Sequence, residues 1–568
     1  MDSPHPADSP KSPPSTPVRS LHLSASSPFL SPSISYGKLY RESWFSLSPD
    51  PRLWGSDLST DLVETDDEIH NPDVQQGKLG DAHDLSFSRR GVANLGCLIF
   101  LITGFLMLFI GYPVISYARK HRGIANAFSL GGINSTGQVP SMGNFGLIDL
   151  DTPEDAHFRD SRRDGSRWQL VFSDEFNTDG RSFYPGDDPY WEAADLHYWV
   201  SLFCDPGQDF QWYDPAAVTT EDGALVITFS EMQTHGLNYQ GGLISSWNKF
   251  CFTGGMIETS VQLPGANNIV GMWPAIWTLG NLGRAGYGAT LEGMALLKWP
   301  YTYDACDVGT APNQTLNGEP YAATIDGDPS YGDALSYLPG QRLSRCTCAD
   351  DTSHPGPKHT DGTFVGRAAP EIDVFEAQVT GKPLRGQVSQ SAQFAPFNRA
   401  WIWQNTSDNE IIANPAISVQ NNFVGSATQQ ANSVVTDTNQ QCYELNTQCY
   451  SVYGFEYKPG YDDAYISWIS ENLTSWTMNA PGVGPDPSVS ISSRAISQEP
   501  MYLIINLGMS RNFGYIDFEH LTFPNHLRVD YIRIYQPPDA VNIGCSPPGF
   551  PTEAYINKLV QTTVNSVI

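Results

Sequence analysis

Three carboxylates crowd into the six residues EIDVFE that begin at Glu371, within a segment otherwise patterned as a β-strand. Side chains alternate between the two faces of a strand, so Glu371 and Asp373 would share one face while Glu376 pointed to the other. One extra residue near Val374 or Phe375, a β-bulge, would turn Glu376 back to the face of the other two. The sequence therefore predicts a bulged strand that brings three acidic side chains together.

Carboxylates at this spacing suit the cleavage of glycosidic bonds. A retaining glycosidase needs two carboxyl groups roughly 5 Å apart, one as nucleophile and one as acid/base. We assign these roles to Glu371 and Glu376, with Asp373 as the assistant that sets which carboxyl holds a proton, since like charges this close cannot all ionise. Acidic clusters are also common on solvated strands, so the motif alone leaves a structural role open.

Composition favours a glycan-binding β-protein over a nucleic-acid-binding one. Aromatic residues make up 12% of the chain and charged residues only 16%, and the 568 residues suffice for one large domain and a long tail. The net charge of −29 argues against a nucleic-acid partner and is compatible with a neutral polysaccharide. Cys346 and Cys348 lack a second Cys/His pair at zinc spacing, so we expect no metal and no cofactor.

The first 90 residues cannot bury a core. Ser and Pro dominate residues 1–60, which predicts a disordered tail over 1–90. Repeated Ser-Pro and Thr-Pro steps leave two readings open, a target for proline-directed phosphorylation or a purely solubilising segment.

An uncharged, apolar segment follows this tail. Residues 91–118 contain no charged side chain, and this length at 1.5 Å per residue spans a hydrocarbon core. The segment lies too far from the N-terminus for a cleaved signal peptide, which favours an uncleaved signal-anchor over a buried core helix.

Basic residues flank the predicted span on both sides, so they do not indicate its orientation in the membrane. The glycosylation sequons and the cysteines do. Eight of the nine cysteines follow it, as do all four Asn-x-Ser/Thr sequons, at Asn134, Asn313, Asn405 and Asn472. The sequence thus predicts a type II membrane protein of the secretory pathway, with a cytosolic tail, a lumenal stalk over 119–167, and disulfides in the large C-terminal part.

Beyond the stalk the pattern is that of β-strands separated by Gly, Pro and Asn turns. Alternation and β-branched content predict strands over 224–229, 256–263, 501–507 and 529–535, with no long amphipathic helix between them. We therefore expect an all-β domain, an antiparallel β-sandwich.

Several segments in order resemble glycoside hydrolase family 16, the laminarinase-like β-glucanases. They are the E-x-D-x-x-E motif at Glu371 together with residues 170–176, 271–277 and 529–535. The resemblance covers about residues 168–537 and implies a concanavalin-like jelly roll with a glycan cleft on its concave sheet. Within it, Trp273 and Trp277 are candidates to stack on sugar rings, although large aromatics also fill cores.

More than ninety residues separate Trp277 from Glu371, where an ordinary laminarinase has a short connection. Segments 301–310 and 338–343 of this insertion (about 281–369), segment 390–397, and the tail 544–548 of the C-terminal extension (538–568) resemble the fungal β-glucan synthesis-associated proteins, membrane-anchored relatives of family 16. That resemblance implies a role in β-1,6-glucan of the cell wall and makes the glucan synthesis machinery a candidate partner. Loops of this length are usually functional, and we expect this one to cover part of the cleft.

Three functions compete at this point. The favoured one is a glucanase or transglycosidase acting on β-glucan in cell-wall biogenesis. The alternatives are a non-catalytic glucan-binding or scaffold protein that keeps the fold, and a secreted-type β-1,3-glucan hydrolase that merely kept an anchor.

Two stretches look longer than the family pattern, around 201–206 and 294–298. This leaves the pairing of Cys204 and the local shape of the cleft open.

Overall fold

A computed structural model describes residues 89–111, 146–198, 209–286, 302–337, 340 and 342–558. The chain divides into two units, residues 1–104 and 105–568. Residues 1–88 of the tail predicted over 1–90, Asn134, the stretch around 201–206 with Cys204, and the stretch around 294–298 lie outside the described residues.

The predicted membrane segment is described in part. An α-helix, α1, runs over Arg89–Leu106 and continues as a π-helical turn over Met107–Gly111. No helix within the described ranges is long and apolar enough to cross a membrane. The prediction of a transmembrane helix over 91–118 is not confirmed by this finding, and residues 112–118 of that segment lie outside the described ranges.

The large unit contains two ten-stranded, mainly antiparallel sheets. In chain order the strands of the first sheet are β1 Phe158–Asp160, β2 Arg167–Asp174, β5 Val218–Glu221, β6 Ala224–Phe229, β8 Gly255–Gln262, β12 Glu410–Ile412, β16 Ser451–Lys458, β17 Tyr465–Ser470, β18 Leu473–Asn479 and β20 Asn525–Gln536. Eight of them follow one another across the sheet as β1-β2-β20-β8-β16-β17-β18-β12, and β5 and β6 join beside β20.

The second sheet carries the acidic motif. Its strands are β3 Glu192–Ala193, β4 Gln211–Tyr213, β7 Tyr239–Ser245, β9 Trp273–Gly280, β10 Glu371–Thr380, β11 Arg385–Phe394, β13 Ser418–Gln420, β14 Gly425–Ser426, β15 Gln429–Asp437 and β19 Met501–Gly508. Their order is β13-β15-β11-β10-β9-β19-β7-β3, with β14 on β15 and β4 parallel to β7. Short 3-10 helices connect strands at Glu154–His157, Pro215–Ala217, Val308–Thr310, Pro312–Gln314, Tyr321–Ala323, Pro329–Tyr331, Arg399–Trp401 and Ala480–Val483.

Alternation along β19 sends its side chains into two different apolar clusters. On β19, Leu503 and Ile505 join the large core between the sheets, whereas Tyr502 and Ile504 join a smaller cluster on the opposite face. All eight residues of this strand are buried, because both of its faces are covered. The predicted antiparallel sandwich is therefore confirmed, and the four strands predicted from the sequence correspond to β6, β8, β19 and β20.

The domain begins earlier than the sequence predicts. Leu147 is part of the core between the sheets, and Thr152 donates a hydrogen bond of 2.9 Å to Glu175. Glu175 also accepts hydrogen bonds from Nε and Nη2 of Arg533, at 2.9 and 2.7 Å, so Thr152 helps to satisfy a buried carboxylate. Residues 146–167, assigned to a stalk by their small and polar composition, thus belong to the sandwich.

The insertion and the C-terminal extension are built into the domain. Arg367, fully buried near the end of the insertion, makes two hydrogen bonds to Glu499, at 2.9 and 2.7 Å, and a third to the carbonyl of Pro551. Ala323 and Leu335 of the insertion share an apolar cluster with Phe397, which follows β11.

Among the described residues, three disulfides cross-link the domain: Cys251–Cys545, Cys306–Cys346 and Cys442–Cys449. Most of the cysteines that follow α1 are thus paired, as predicted. Cys348 is a free, exposed thiol.

The disulfides differ greatly in the length of chain that they close, 294 residues for Cys251–Cys545 and seven for Cys442–Cys449. Loop-closure entropy grows with length, and a disulfide typically contributes about 2–4 kcal/mol. We expect Cys251→Ser with Cys545→Ser to lower the free energy of unfolding more than Cys442→Ser with Cys449→Ser, as measured by denaturant titration. An equal or larger loss from the short loop would contradict this account.

Candidate active site

A bulge in β10 brings the three carboxylates of the motif to one face. Along the β10–β9 ladder the register shifts by one residue between Asp373 and Phe375, which leaves Val374 as the extra residue. The partners on β9 occupy every second position, Leu279 for Glu371, Trp277 for Asp373 and Ala275 for Glu376. Directly opposed residues point to the same face, so the predicted bulge and the convergence of the three acids are confirmed.

The same bulge keeps the apolar side chains of the motif inside the sandwich. Ile372, Val374 and Phe375 belong to the core between the sheets, and the ring of Phe375 lies 4.9 Å from that of Tyr453 on the opposite sheet. The acids therefore project from the outer face of a strand whose inner face is locked in place.

Asp373 is the most buried of the three acids, with 1% of its surface exposed. Ser391 on β11 donates to its carboxylate, and the indole of Trp468 donates to its backbone carbonyl at 2.7 Å. Burial raises the pKa of Asp373 well above its ordinary value, and the charges of Glu371 and Glu376 raise it further. A side-chain hydrogen bond to Glu371 acts in the same direction, as expected for a protonated Asp373 that donates to Glu371.

Glu376 lies half-buried at the other end of the motif. The indole N–H of Trp273 donates to its Oε1 at 3.0 Å, and the Trp273 ring stacks on Phe513 with centroids 4.5 Å apart and planes 6° apart. Burial raises the pKa of Glu376, and the Trp273 bond opposes this rise in part. Glu376 therefore keeps its proton to a higher pH than an exposed glutamate.

Glu371 is half-buried, and two tyrosines, Tyr198 and Tyr502, lie within electrostatic range of it. Burial raises the pKa of Tyr198 well above its ordinary value, and the negative charge of Glu371 raises it further. Tyr502, whose pKa burial raises, also lies within electrostatic range of Glu371. Beyond these rings the outer face is covered by the smaller apolar cluster, which includes Leu196 and Ala285.

The two predicted substrate-binding tryptophans have different environments. Trp273 is half-buried beside Glu376, so part of its surface stays accessible. Trp277 is only 7% exposed and donates its indole N–H to Asn506 at 2.8 Å. Of the two, Trp273 alone can offer a surface to a sugar, while Trp277 fills the outer-face cluster.

Three of the four sequon asparagines lie in the described ranges. Asn313 and Asn472 are exposed and Asn405 is half-buried. In the part of the chain that the structure describes, no cluster of His, Cys, Asp and Glu side chains could hold a metal ion.

Sequence reasoning missed the side chains that support the motif. Ser391 on β11 donates to Asp373, and Asn506 on β19, two strands away from β10, accepts from Trp277; each places a buried polar group within a strand. Such a polar position is a signal that strand alternation could have provided. Phe513 lies in the loop after β19, where no pattern in the sequence distinguishes it.

Comparison with known proteins identifies relatives over most of the chain. The model of the β-glucan synthesis-associated protein family SKN1/KRE6/Sbg1 matches residues 56–567. The chain is 41% identical over 517 residues to the β-glucan synthesis-associated protein SKN1 of Candida albicans, a match covering 89% of this chain and 65% of that protein. It is 38% identical over 519 residues to KRE6 of Saccharomyces cerevisiae, covering 90% and 67% respectively.

The chain thus spans just under two thirds of the length of the SKN1 relative. Among solved structures it is similar to the catalytic domain of an endo-1,3-β-glucanase (laminarinase) from Thermotoga petrophila, at 17% identity and a TM-score of 0.36. That match covers 65% of this chain and 98% of the laminarinase domain.

The raised pKa of Asp373 predicts a pH-dependent cost in stability. Below the unfolded-state pKa, near 4, Asp373 is protonated in both states; as the pH rises above it, only the unfolded chain releases the proton, which favours unfolding. The substitution Asp373→Asn removes this penalty. We expect the free energy of unfolding of the variant to improve relative to the parent chain between pH 4 and pH 7, measured by denaturant titration at each pH.

Asp361 provides a matched control. It is exposed, and hydrogen bonds from Thr363 lower its pKa to about 2. The contribution of its ionisation to the free energy of unfolding is therefore fully present above the unfolded-state pKa and no longer changes with pH. The difference in free energy of unfolding between Asp361→Asn and the parent chain should therefore stay nearly constant between pH 5 and pH 7. A flat difference for Asp373→Asn over the same range would show that Asp373 is ionised in the folded protein.

Proposed function

Because the chain belongs to the SKN1/KRE6/Sbg1 family of β-glucan synthesis-associated proteins, we propose that its β-sandwich acts on β-glucan in fungal cell-wall biogenesis. The reaction we propose is the breaking and re-forming of glycosidic bonds by a retaining mechanism with two glutamates. No cofactor is required.

One observation carries this proposal: a bulge that places Glu371, Asp373 and Glu376 on one face, with the buried acid between the two half-buried ones. Desolvating three carboxyl groups in one place costs stability, and a protein gains nothing from it in packing. Carboxyl groups with raised pKa values beside accessible aromatic surface are what acid/base chemistry on a sugar needs.

The roles follow from the protonation of the three acids. Glu371, which receives a hydrogen bond from protonated Asp373, attacks the anomeric carbon as a carboxylate. Glu376, kept protonated by burial, donates its proton to the departing glycosidic oxygen. The glycosyl-enzyme is resolved when the oxygen of an incoming hydroxyl group attacks the anomeric carbon and displaces the carboxylate of Glu371, while Glu376, now a base, takes the proton of that hydroxyl group.

The incoming hydroxyl group decides between two outcomes. Water gives hydrolysis, whereas a hydroxyl of another sugar gives transglycosylation and a remodelled glucan. We favour transglycosylation, and formation of β-1,6-glucan in particular, because the family is associated with glucan synthesis. Trp273 and Phe513, stacked beside Glu376, lie where a leaving or accepting sugar would be placed.

We also propose the cellular setting predicted from the sequence, a type II protein of the secretory-pathway membrane with its large domain in the lumen. Three sequon asparagines at or near the surface of the domain and its three disulfides support this setting. The glucan synthesis machinery is then the natural partner.

A non-catalytic glucan-binding or scaffold role is the second candidate, and one observation favours it. The apolar cluster on the outer face, with Leu196 and Ala285, covers strands on the side of β10 toward β9 and β19. Such a cover restricts the surface over which a long glucan could lie.

Substitution of the two glutamates separates these candidates. We expect Glu371→Gln to abolish turnover of β-gluco-oligosaccharides while folding is retained, since an amide is a far poorer nucleophile. Glu376→Gln should lower the rate on natural oligosaccharides by about 10²–10⁴-fold and have a much smaller effect on an activated aryl glucoside, whose leaving group needs no proton. Product chains that grow, shrink or stay unchanged are scored by chromatography.

The cellular counterpart uses a strain that lacks its own copy of the protein. If Glu371→Gln protein folds, reaches its compartment and fully restores wall β-glucan, the catalytic proposal is refuted and the scaffold role stands. Glu319→Gln, at an exposed position of the insertion, is the matched control and should leave turnover unchanged.

Substitution of Trp273 tests whether its indole N–H controls the pKa of Glu376. The substitution Trp273→Phe keeps an aromatic ring but removes the N–H donor that lowers the pKa of Glu376. Glu376 should then hold its proton to a higher pH, so the alkaline limb of the pH–rate profile should move upward. Trp277→Phe, which removes a donor to Asn506 instead, should leave this limb in place; a shift of equal size in both variants would argue against a specific bond.

A further inference from the structure

A second polar cavity lies where the insertion meets the sandwich. Its volume is about 70 Å³, room for roughly five water molecules. Thr302 and Asp304 of the insertion line one side, and Gln393 at the end of β11 and Arg494 line others. Pro370, the residue before Glu371, also contributes to the wall.

Three side chains in this wall keep a buried polar atom without a hydrogen-bond partner in the described structure: Thr302 Oγ1, Gln393 Oε1 and Arg494 Nε. The residues are 6%, 5% and 2% exposed. Buried polar groups are normally satisfied, and leaving one unpaired costs about 1–3 kcal/mol. Three such atoms around one cavity point to a ligand that satisfies them.

The charges in the wall narrow the chemistry of that ligand. Asp304 and Glu499 both line the cavity, and each already accepts hydrogen bonds from protein groups, Asp304 from Gly366 and Glu499 from Arg367. The guanidinium of Arg494 donates to the carbonyls of Pro396 and Gly484, which leaves the Nε–H available. An anion would meet two carboxylates and could not donate to Gln393 Oε1.

A neutral hydroxylated ligand meets each of these requirements. A hydroxyl group both donates and accepts, so vicinal hydroxyls can accept from Arg494, donate to Gln393 and exchange a bond with Thr302. Aromatic rings in the same wall, among them Tyr461 and Phe550, offer apolar surface to the C–H groups of a sugar.

We propose that this cavity is an accessory carbohydrate site that binds the hydroxyl-bearing edge of one sugar residue of a β-glucan. Gln393 is the direct partner of Glu371 in the β10–β11 ladder, so the cavity adjoins the end of the motif that carries the nucleophile. The insertion then contributes to substrate recognition by forming part of this wall. The choice of a glucan sugar rests on the proposed function, whereas the site itself rests on the cavity.

The test uses the full chain with two separate probes, D-glucose observed by saturation-transfer NMR titration and inorganic phosphate observed by ³¹P line broadening. We expect D-glucose to bind and phosphate not to bind. Thr302→Val, which exchanges the hydroxyl for a methyl group of the same size, should weaken glucose binding by about fivefold, the loss of one hydrogen bond. Gln393→Leu should weaken it similarly and serves if the first variant fails to fold.

Two controls separate this cavity from the acidic site. Thr324→Val changes a threonine of the insertion that does not line the cavity, and Trp273→Ala removes the ring beside Glu376; both should leave the Thr302-dependent binding unchanged. Glucose binding lost in Trp273→Ala but not in Thr302→Val, binding of phosphate alone, or no binding would each overturn the inference. Glucose binding that depends on Thr302 in a chain without turnover would sustain it while refuting the catalytic proposal.

Discussion

The bulge at Val374 is the constraint on which the rest of the site depends. A regular strand would send Glu376 into the core between the sheets, where it would displace apolar side chains such as Phe375. One extra residue reconciles two demands, a continuous apolar inner face and three acids on the outer face. The bulge is held from both sides, since β9 and β11 pair with β10 before and after it.

The acids are costly, and the surrounding strands limit that cost. Ser391 donates to Asp373, Trp273 donates to Glu376, and Trp468 anchors the backbone at Asp373. Burial still raises the pKa of Asp373 and of Glu376, so the cluster is more stable when it is partly protonated than when all three acids are ionised. Acids that keep raised pKa values although neighbouring side chains support them reduce the stability of the fold, and perturbed groups of this kind mark candidate functional sites.

The insertion is held to the rest of the domain by buried polar contacts. Arg367 and Glu499 form a buried pair with two hydrogen bonds, and removing either partner would leave an uncompensated charge inside the protein. The insertion is thereby tied to the loop before β19 and, through Pro551, to the C-terminal extension. The insertion, which the sequence analysis treats as an added loop, is thus packed into the folded domain together with the loop before β19 and the C-terminal extension.

Local patterns were enough to predict much of this protein. Alternation identified β6, β8, β19 and β20, and the spacing of Glu371, Asp373 and Glu376 predicted the bulge. These features depend on the two-residue period of a strand, which is written in consecutive residues.

Tertiary structure alone decided the rest, because the contacts involved join residues far apart in the chain. The sequence could not show that Trp277 is buried against Asn506 while Trp273 is accessible beside Glu376, since both precede the motif in similar surroundings. Nor could it show that residues 146–167 complete the sandwich, because Leu147 and Thr152 acquire their roles from strands that come later. The partners of the cysteines and the unsatisfied atoms around Arg494 likewise exist only once the insertion is folded against β11.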